Sequence, residues 1–191
     1  HTPLYGLFES LVNLHQNARQ KMNEQNRLFG NKVSFYHKDV LAVLSHPYIH
    51  LLDPESVSGW LKKYRDNAWI YISEKEISGK STPAFFSQLF CPISSPAEAF
   101  PYFMKILHLL QTAVENKDFT YRSIESEYIS HSYVQFKRLQ DVAGKHLTES
   151  DLKTFWRVFK QMLQSSRIPF SGEPLRGLQI MGLLETRVLD F

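Results

Sequence analysis

Aromatic rings interleaved with cations give this chain its most direct chemical reading. Trp60, Tyr64, Trp69 and Tyr71 alternate with Lys62, Lys63 and Arg65. Rings of this kind stack on nucleobases while cations hold the phosphates between them. The competing reading is a helix that buries Trp60 and Tyr64 and leaves its cations in water. Helical spacing accounts for these aromatics without a ligand, so burial is the favoured expectation. Lys137, Arg138, Arg157 and Lys160 form a second candidate basic surface, open to the same two readings.

The residues that could carry catalysis or hold a metal lack their partners. His46 and His50 are four apart, a spacing that suits a metal on a helix, with His37 not far off. Pro47 interrupts that helix, and no Glu or Cys completes the set at a usual spacing, so packing or surface histidines are expected. Glu115-Asn116-Lys117 matches the Glu-x-Lys part of a PD-(D/E)XK nuclease motif, which needs a strand to put both side chains on one face beside Mg²⁺. Here it falls at a helix end. Gly79-Lys80-Ser81 echoes a phosphate-cradling loop but lacks the earlier glycine and the strand-to-helix setting. Cys91 is the only cysteine, which excludes an internal disulfide and a multi-cysteine metal site. A buried structural thiol is expected there. The expectation is of no catalytic residue, no metal site and no cofactor.

Helices are the elements expected to position these residues. Thr2-Pro3 opens a helix expected over 3–26, with Leu4, Leu7, Phe8, Leu11, Leu14, Ala18 and Met22 on its apolar face. Ser34 is read as the cap of a second helix that ends before Pro47. Asp53-Pro54-Glu55 starts a third, which buries Val57, Trp60, Leu61 and Tyr64. Trp69-Ile70-Tyr71-Ile72 alternates as a short strand or extended segment, and 74–82 reads as a loop. A short helix follows over 84–90. Ser95-Pro96-Ala97-Glu98 is a capping box opening a helix over 96–116, with Pro101 expected to bend its first turn. The next helix carries Ile124, Tyr128, Ile129, Phe136, Leu139 and Val142 inward and is expected to stop at Gly144. Thr148-Glu149-Ser150-Asp151 caps the last, with Leu152, Phe155, Trp156, Phe159 and Leu163 on its buried face. Pro169, Gly172 and Pro174 then mark a linker before an apolar, strand-like run over 178–181.

Length and composition agree with a folded chain. The 191 residues are 43% hydrophobic and 14% aromatic, which supports a core and excludes the composition of disorder. No apolar run reaches membrane-spanning length and no signal-peptide pattern opens the chain, so a cytoplasmic setting is expected. The net charge of +3 permits nucleic-acid binding only if the cations cluster.

The final residues add a resemblance. Residues 178–191 read LQIMGLLETRVLDF. This resembles the motif of superfamily-one (UvrD/Rep-type) helicases in which a strand leads into Thr-x-His-x-x-Lys-Gly-Leu-Glu-Phe. Gly182 stands at the Thr, Leu184 at the His, Arg187 at the Lys, Val188 at the Gly, and Leu189, Asp190 and Phe191 at Leu-Glu-Phe. Residues 34–49, SFYHKDVLAVLSHPYI, also look like a segment of AddB-type helicase–nucleases of Bacteroides-like bacteria. In superfamily-one helicases a helical insertion, domain 2B, precedes the tail motif. Gly182 and Leu184 lack the hydrogen-bonding groups that couple nucleotide to DNA in motor helicases. The resemblance therefore implies a degenerate motor without ATP hydrolysis.

The expected fold is all-α: an irregular bundle of six to seven helices, with a short extended C-terminal segment orphaned from a RecA-like core. Residues 1–168 would be the 2B-like body, and 169–191 a linker and the start of the second RecA-like core. With His1 at one end and the motif at the other, the chain reads as a piece of a longer helicase–nuclease. Its expected role is non-catalytic: to guide DNA or dock a partner subunit in repair or recombination, the parent being an exonuclease or helicase–nuclease subunit. Arg187, Lys62, Lys63 and Arg65 are the candidate DNA contacts. The orphan strand is expected to pair with a neighbouring chain or rest on the bundle. The alternative is a protein-interaction or regulatory helical domain with no nucleic-acid role, its apolar faces binding a partner helix.

Overall fold

The computed structural model describes residues 3–21, 32–79, 82–116 and 122–165. Among them the order is α1 (Pro3–Gln16), β1 (Arg19–Lys21), β2 (Lys32–Tyr36), α2 (His37–Leu44), α3 (Pro47–Leu52), α4 (Pro54–Asn67), β3 (Tyr71–Ser73), α5 (Glu74–Ile77), α6 (Ala84–Leu89), α7 (Pro96–Asn116), α8 (Arg122–Thr148) and α9 (Leu152–Ser165). The chain is mainly α-helical, as its periodicity implies. It is not purely so: the three strands form one antiparallel sheet in the order β1-β2-β3. The tail motif with Arg187, and the run over 178–181, lie outside the described residues.

The sheet corrects two helix expectations. The first helix ends at Gln16 rather than running on to 26, because Arg19–Lys21 pairs with β2, Arg19 standing opposite Ser34 and Lys21 opposite Lys32. Ser34 is a strand residue, not a cap; it pairs with Ser73 on its other side, and Tyr36 pairs with Tyr71. Period-two alternation sorts this sheet into two faces. Val33, Phe35 and Ile72 are buried, while Arg19, Ser34, Tyr36, Tyr71 and Ser73 are exposed or half-buried.

Local capping adds to one expectation, since α2 does end before Pro47, and overturns another. Pro47 begins a helix rather than only ending one: it occupies the first turn of α3, where its missing N–H would be unpaired anyway. The stretch 74–82 contains the helical turn α5, closed by a reciprocal Ser73–Glu76 capping box. Elsewhere the sequence signals hold. Asp53 accepts from the Ser56 N–H ahead of Pro54, and Asp151 accepts from the Thr154 N–H at 2.6 Å to open α9. The Glu98 carboxylate reaches back to the Ser94 N–H at 2.7 Å, one residue beyond the expected partner.

The longest helices, α7 and α8, lie side by side. Gln111 meets Ser126, and Phe103 meets Phe136, so the pair is antiparallel. Phe103 also packs on Phe8, Tyr102, Trp156 and Phe159, joining α1 and α9 to this pair. Helix α8 runs through Gly144 to Thr148, since a helical glycine costs only about 1 kcal/mol and a stop needs a left-handed residue. Val142, expected on the inner face, is 84% exposed. The buried side chains form one contiguous cluster.

Candidate nucleic-acid interface

The outer face of the sheet continues into α2 and α4 as a chain of rings. Tyr71 lies 5.7 Å from Tyr36 across the β2–β3 ladder, and Tyr36 lies 4.6 Å from His37. The His37 ring stacks on Tyr64 at 6.1 Å, and its Nδ1 is 3.1 Å from the Ile70 carbonyl oxygen. Tyr64 stacks on Trp60, which meets Trp69 at 6.3 Å. A cation stands at each end: Arg19 4.3 Å above the Tyr71 ring, and Lys63 5.7 Å above Trp69. These distances fall in the cation–π range. Trp60 is buried, whereas Tyr36, His37, Tyr64, Trp69 and Tyr71 are half-buried. Ile70, between two of them, is 63% exposed.

The expected cation cluster divides. Lys62, Lys63 and Arg65 are all exposed. Helical geometry puts Lys62 furthest from the apolar stripe and Lys63 and Arg65 nearer its edges; of the three, Lys63 stands over the Trp69 ring. Burial, favoured from the spacing, holds for Trp60 but only in part for Tyr64 and Trp69. Arg19, Tyr36 and His37 were not singled out as contacts from the sequence. The signal lay in Lys32-Val33-Ser34-Phe35-Tyr36, a period-two run, which a serine followed by a helical pattern masked.

The second basic surface also rearranges. Arg157 and Lys160 join Lys153 at i, i+4 and i+7 along α9, lining an open groove of about 810 Å³ beside Gln16. Lys160 donates to Asn13 Oδ1 at 3.1 Å. Asp151, at the same end, is held below the usual carboxylate range by its hydrogen bonds to Thr154. Lys137 lies elsewhere, 3.9 Å from Asp141 on α8.

The remaining candidates are accounted for individually. His46 caps α3, its Nδ1 accepting from the Tyr48 N–H at 3.3 Å, and burial lowers its pKa. Among the described residues no group of three or more His, Cys, Asp or Glu is arranged to hold a metal ion. Glu115 lies on α7 and accepts from Gln111 at 2.5 Å; Lys117 is outside the described residues, as are Lys80 and Ser81. Cys91 is exposed rather than buried; in the stretch 91–94 between α6 and α7 it is Ile93 that takes the buried position. Partial desolvation, with Glu74 and Glu98 nearby, raises its pKa and disfavours the thiolate. Among the described residues no helix is long and apolar enough to cross a membrane. The chain matches no family model, no curated protein and no solved structure.

Proposed function

We propose that this chain is a non-catalytic helical domain that guides single-stranded DNA, laying bases along the outer face of its small sheet. The observation that carries this reading is the ring chain from Tyr71 through Tyr36 and His37 to Tyr64 and Trp69, with Arg19 and Lys63 at its ends. Rings supply sequence-tolerant stacking and cations supply phosphate contact, the two components of single-strand binding. The resemblance of the tail and of 34–49 supplies the wider setting: a 2B-like body over 1–168 and the beginning of a RecA-like core over 169–191. The parent would be a degenerate, AddB-type helicase–nuclease of repair or recombination.

Fluorescence anisotropy with a labelled oligothymidylate of about 20 nucleotides tests this. Binding at ~50 mM salt is expected, with the Tyr36→Ala/Tyr71→Ala double variant weakened roughly 10- to 100-fold. Absence of binding to single-stranded, forked and duplex DNA at that salt would remove the DNA role. The second reading, a protein-docking domain, would then gain from the apolar side chains exposed singly on α8: Tyr133, Val134 and Val142 are 44%, 45% and 84% exposed, on different sides of the helix.

A further inference from the structure

His15 lies in the core, 6% exposed, yet neither ring nitrogen has a hydrogen-bond partner among the described residues. Its ring meets Tyr102 edge-on at 4.8 Å and Phe35 at 6.0 Å, and it stacks parallel to Trp156 at 6.3 Å. Trp156 Nε1 is also buried without a partner. Two stacked rings thus hold three unsatisfied nitrogens in one place. Buried polar groups are nearly always paired, with protein, water or ligand. The same imidazole forms part of the wall of a cavity of about 310 Å³ between the end of α1, the β1–β2 edge and the start of α9. Val33, Pro92, Ile93 and Leu152 contribute apolar side chains to its wall, which also carries polar surface and includes exposed Ser94.

We propose that this cavity is a binding site for a small, neutral, planar heteroaromatic molecule whose single polar edge pairs with the His15 imidazole. An apolar cavity of ~150 Å³ accepts benzene, so this one has room for a two-ring compound. The apolar sides reward burial of its faces. Neutral imidazole offers one donor and one acceptor, according to tautomer. Both nitrogens are buried, so pairing requires the imidazole to turn about its broad χ2 torsion and expose one of them to the cavity. Charged ligands gain little here, since among the described residues no ionised group lines the space. The site does not depend on DNA binding; it lies on the inner side of the sheet, where Val33 and Phe35 point, away from Tyr36 and Tyr71.

Indole, quinoline and naphthalene are the probes, added to the full chain with its histidines ¹³C-labelled at the ring. One ring resonance of the eight histidines, assigned to His15 by its loss in His15→Leu, is expected to move saturably with indole and quinoline. Naphthalene, which has the shape without the polar edge, is expected to bind about tenfold more weakly. In His15→Leu that preference should vanish while naphthalene still binds. The proposal is overturned if the His15 resonance does not respond to any probe, or if indole binds wild type and His15→Leu equally. It is also overturned if a water in contact with the His15 ring persists at saturating indole, which would make an ordered water the true partner. The His15 resonance is also assigned in wild type by its proximity to the Tyr102 and Trp156 rings, so the wild-type titration decides even if the variant folds poorly.

Discussion

At His15 the core holds a ring that would pack as well without its nitrogens. Burial lowers its pKa from 6.5 to about 3, so it is neutral in the folded chain at physiological pH. The unfolded chain takes up a proton near 6.5 and the folded chain does not until about 3. Between those values the unfolded state binds more protons, and stability falls as pH falls, by at most ~1.4 kcal/mol per unit from this group. Tyr102, the ring closest to it, adds no counter-charge, because burial raises its pKa far from that range. Urea unfolding from pH 7 to pH 4 should show the decline, and the His15→Phe variant should have a visibly shallower one. The variant should also gain ~1–3 kcal/mol at pH 7, since two orphaned nitrogens disappear and the neighbouring cavity can absorb the extra ring atom. An unchanged pH slope in His15→Phe would assign the acid sensitivity to other groups.

Among the elements, α4 ends under strain. Ala68 closes it in the left-handed region, φ 49°, with its N–H bonded to the Tyr64 carbonyl. Glycine is the usual residue there because a Cβ is disfavoured in that conformation. Ala68 is exposed, so Ala68→Gly removes no packing. It should stabilise the fold by about 0.5–1 kcal/mol, read as a rise in thermal midpoint; a fall would mean that the entropy of glycine in the unfolded chain outweighs the relief. This position also explains what the sequence did and did not disclose. The apolar faces of α1, α4 and α9 were legible, since a 3.6-residue period is local and Leu7, Trp60 and Phe159 obey it. Asp53-Pro54 and Asp151 were legible as starts for the same reason. The helix stops were not. Gly144 carries the residue type of a stop but lies mid-helix, while Ala68 makes the left-handed turn without it. The sheet was the larger omission. Three-residue strands are too short to show a period, and β1 becomes a strand only because β2 pairs with it, a non-local event. The candidate interface inherited that omission: Lys63, Trp69 and Tyr71 were within reach of sequence reasoning, but Arg19 and Tyr36 required the register.

For the whole molecule, a net charge of +3 sets how any nucleic acid can be held. So small an excess gives little long-range attraction, and affinity must come from stacking and from a few placed cations. On the ring chain those are Arg19 and Lys63. Each phosphate neutralised on a single strand contributes about 0.7 to the slope of log affinity against log salt. Two contacts therefore give a shallow slope, about −1.4, far from that of a strongly basic domain. Arg19→Gln/Lys63→Gln should flatten it towards zero and leave residual, salt-insensitive stacking, whereas Tyr36→Ala/Tyr71→Ala should lower affinity at every salt and keep the slope. Anisotropy titrations between ~25 and ~200 mM salt separate the two effects. A wild-type slope steeper than about −3 would mean that further cations reach the strand. The α9 groove, with Lys153, Arg157 and Lys160, would then be the place to find them. If the slope of the Arg19→Gln/Lys63→Gln variant equals that of wild type, the DNA does not lie along these rings at all.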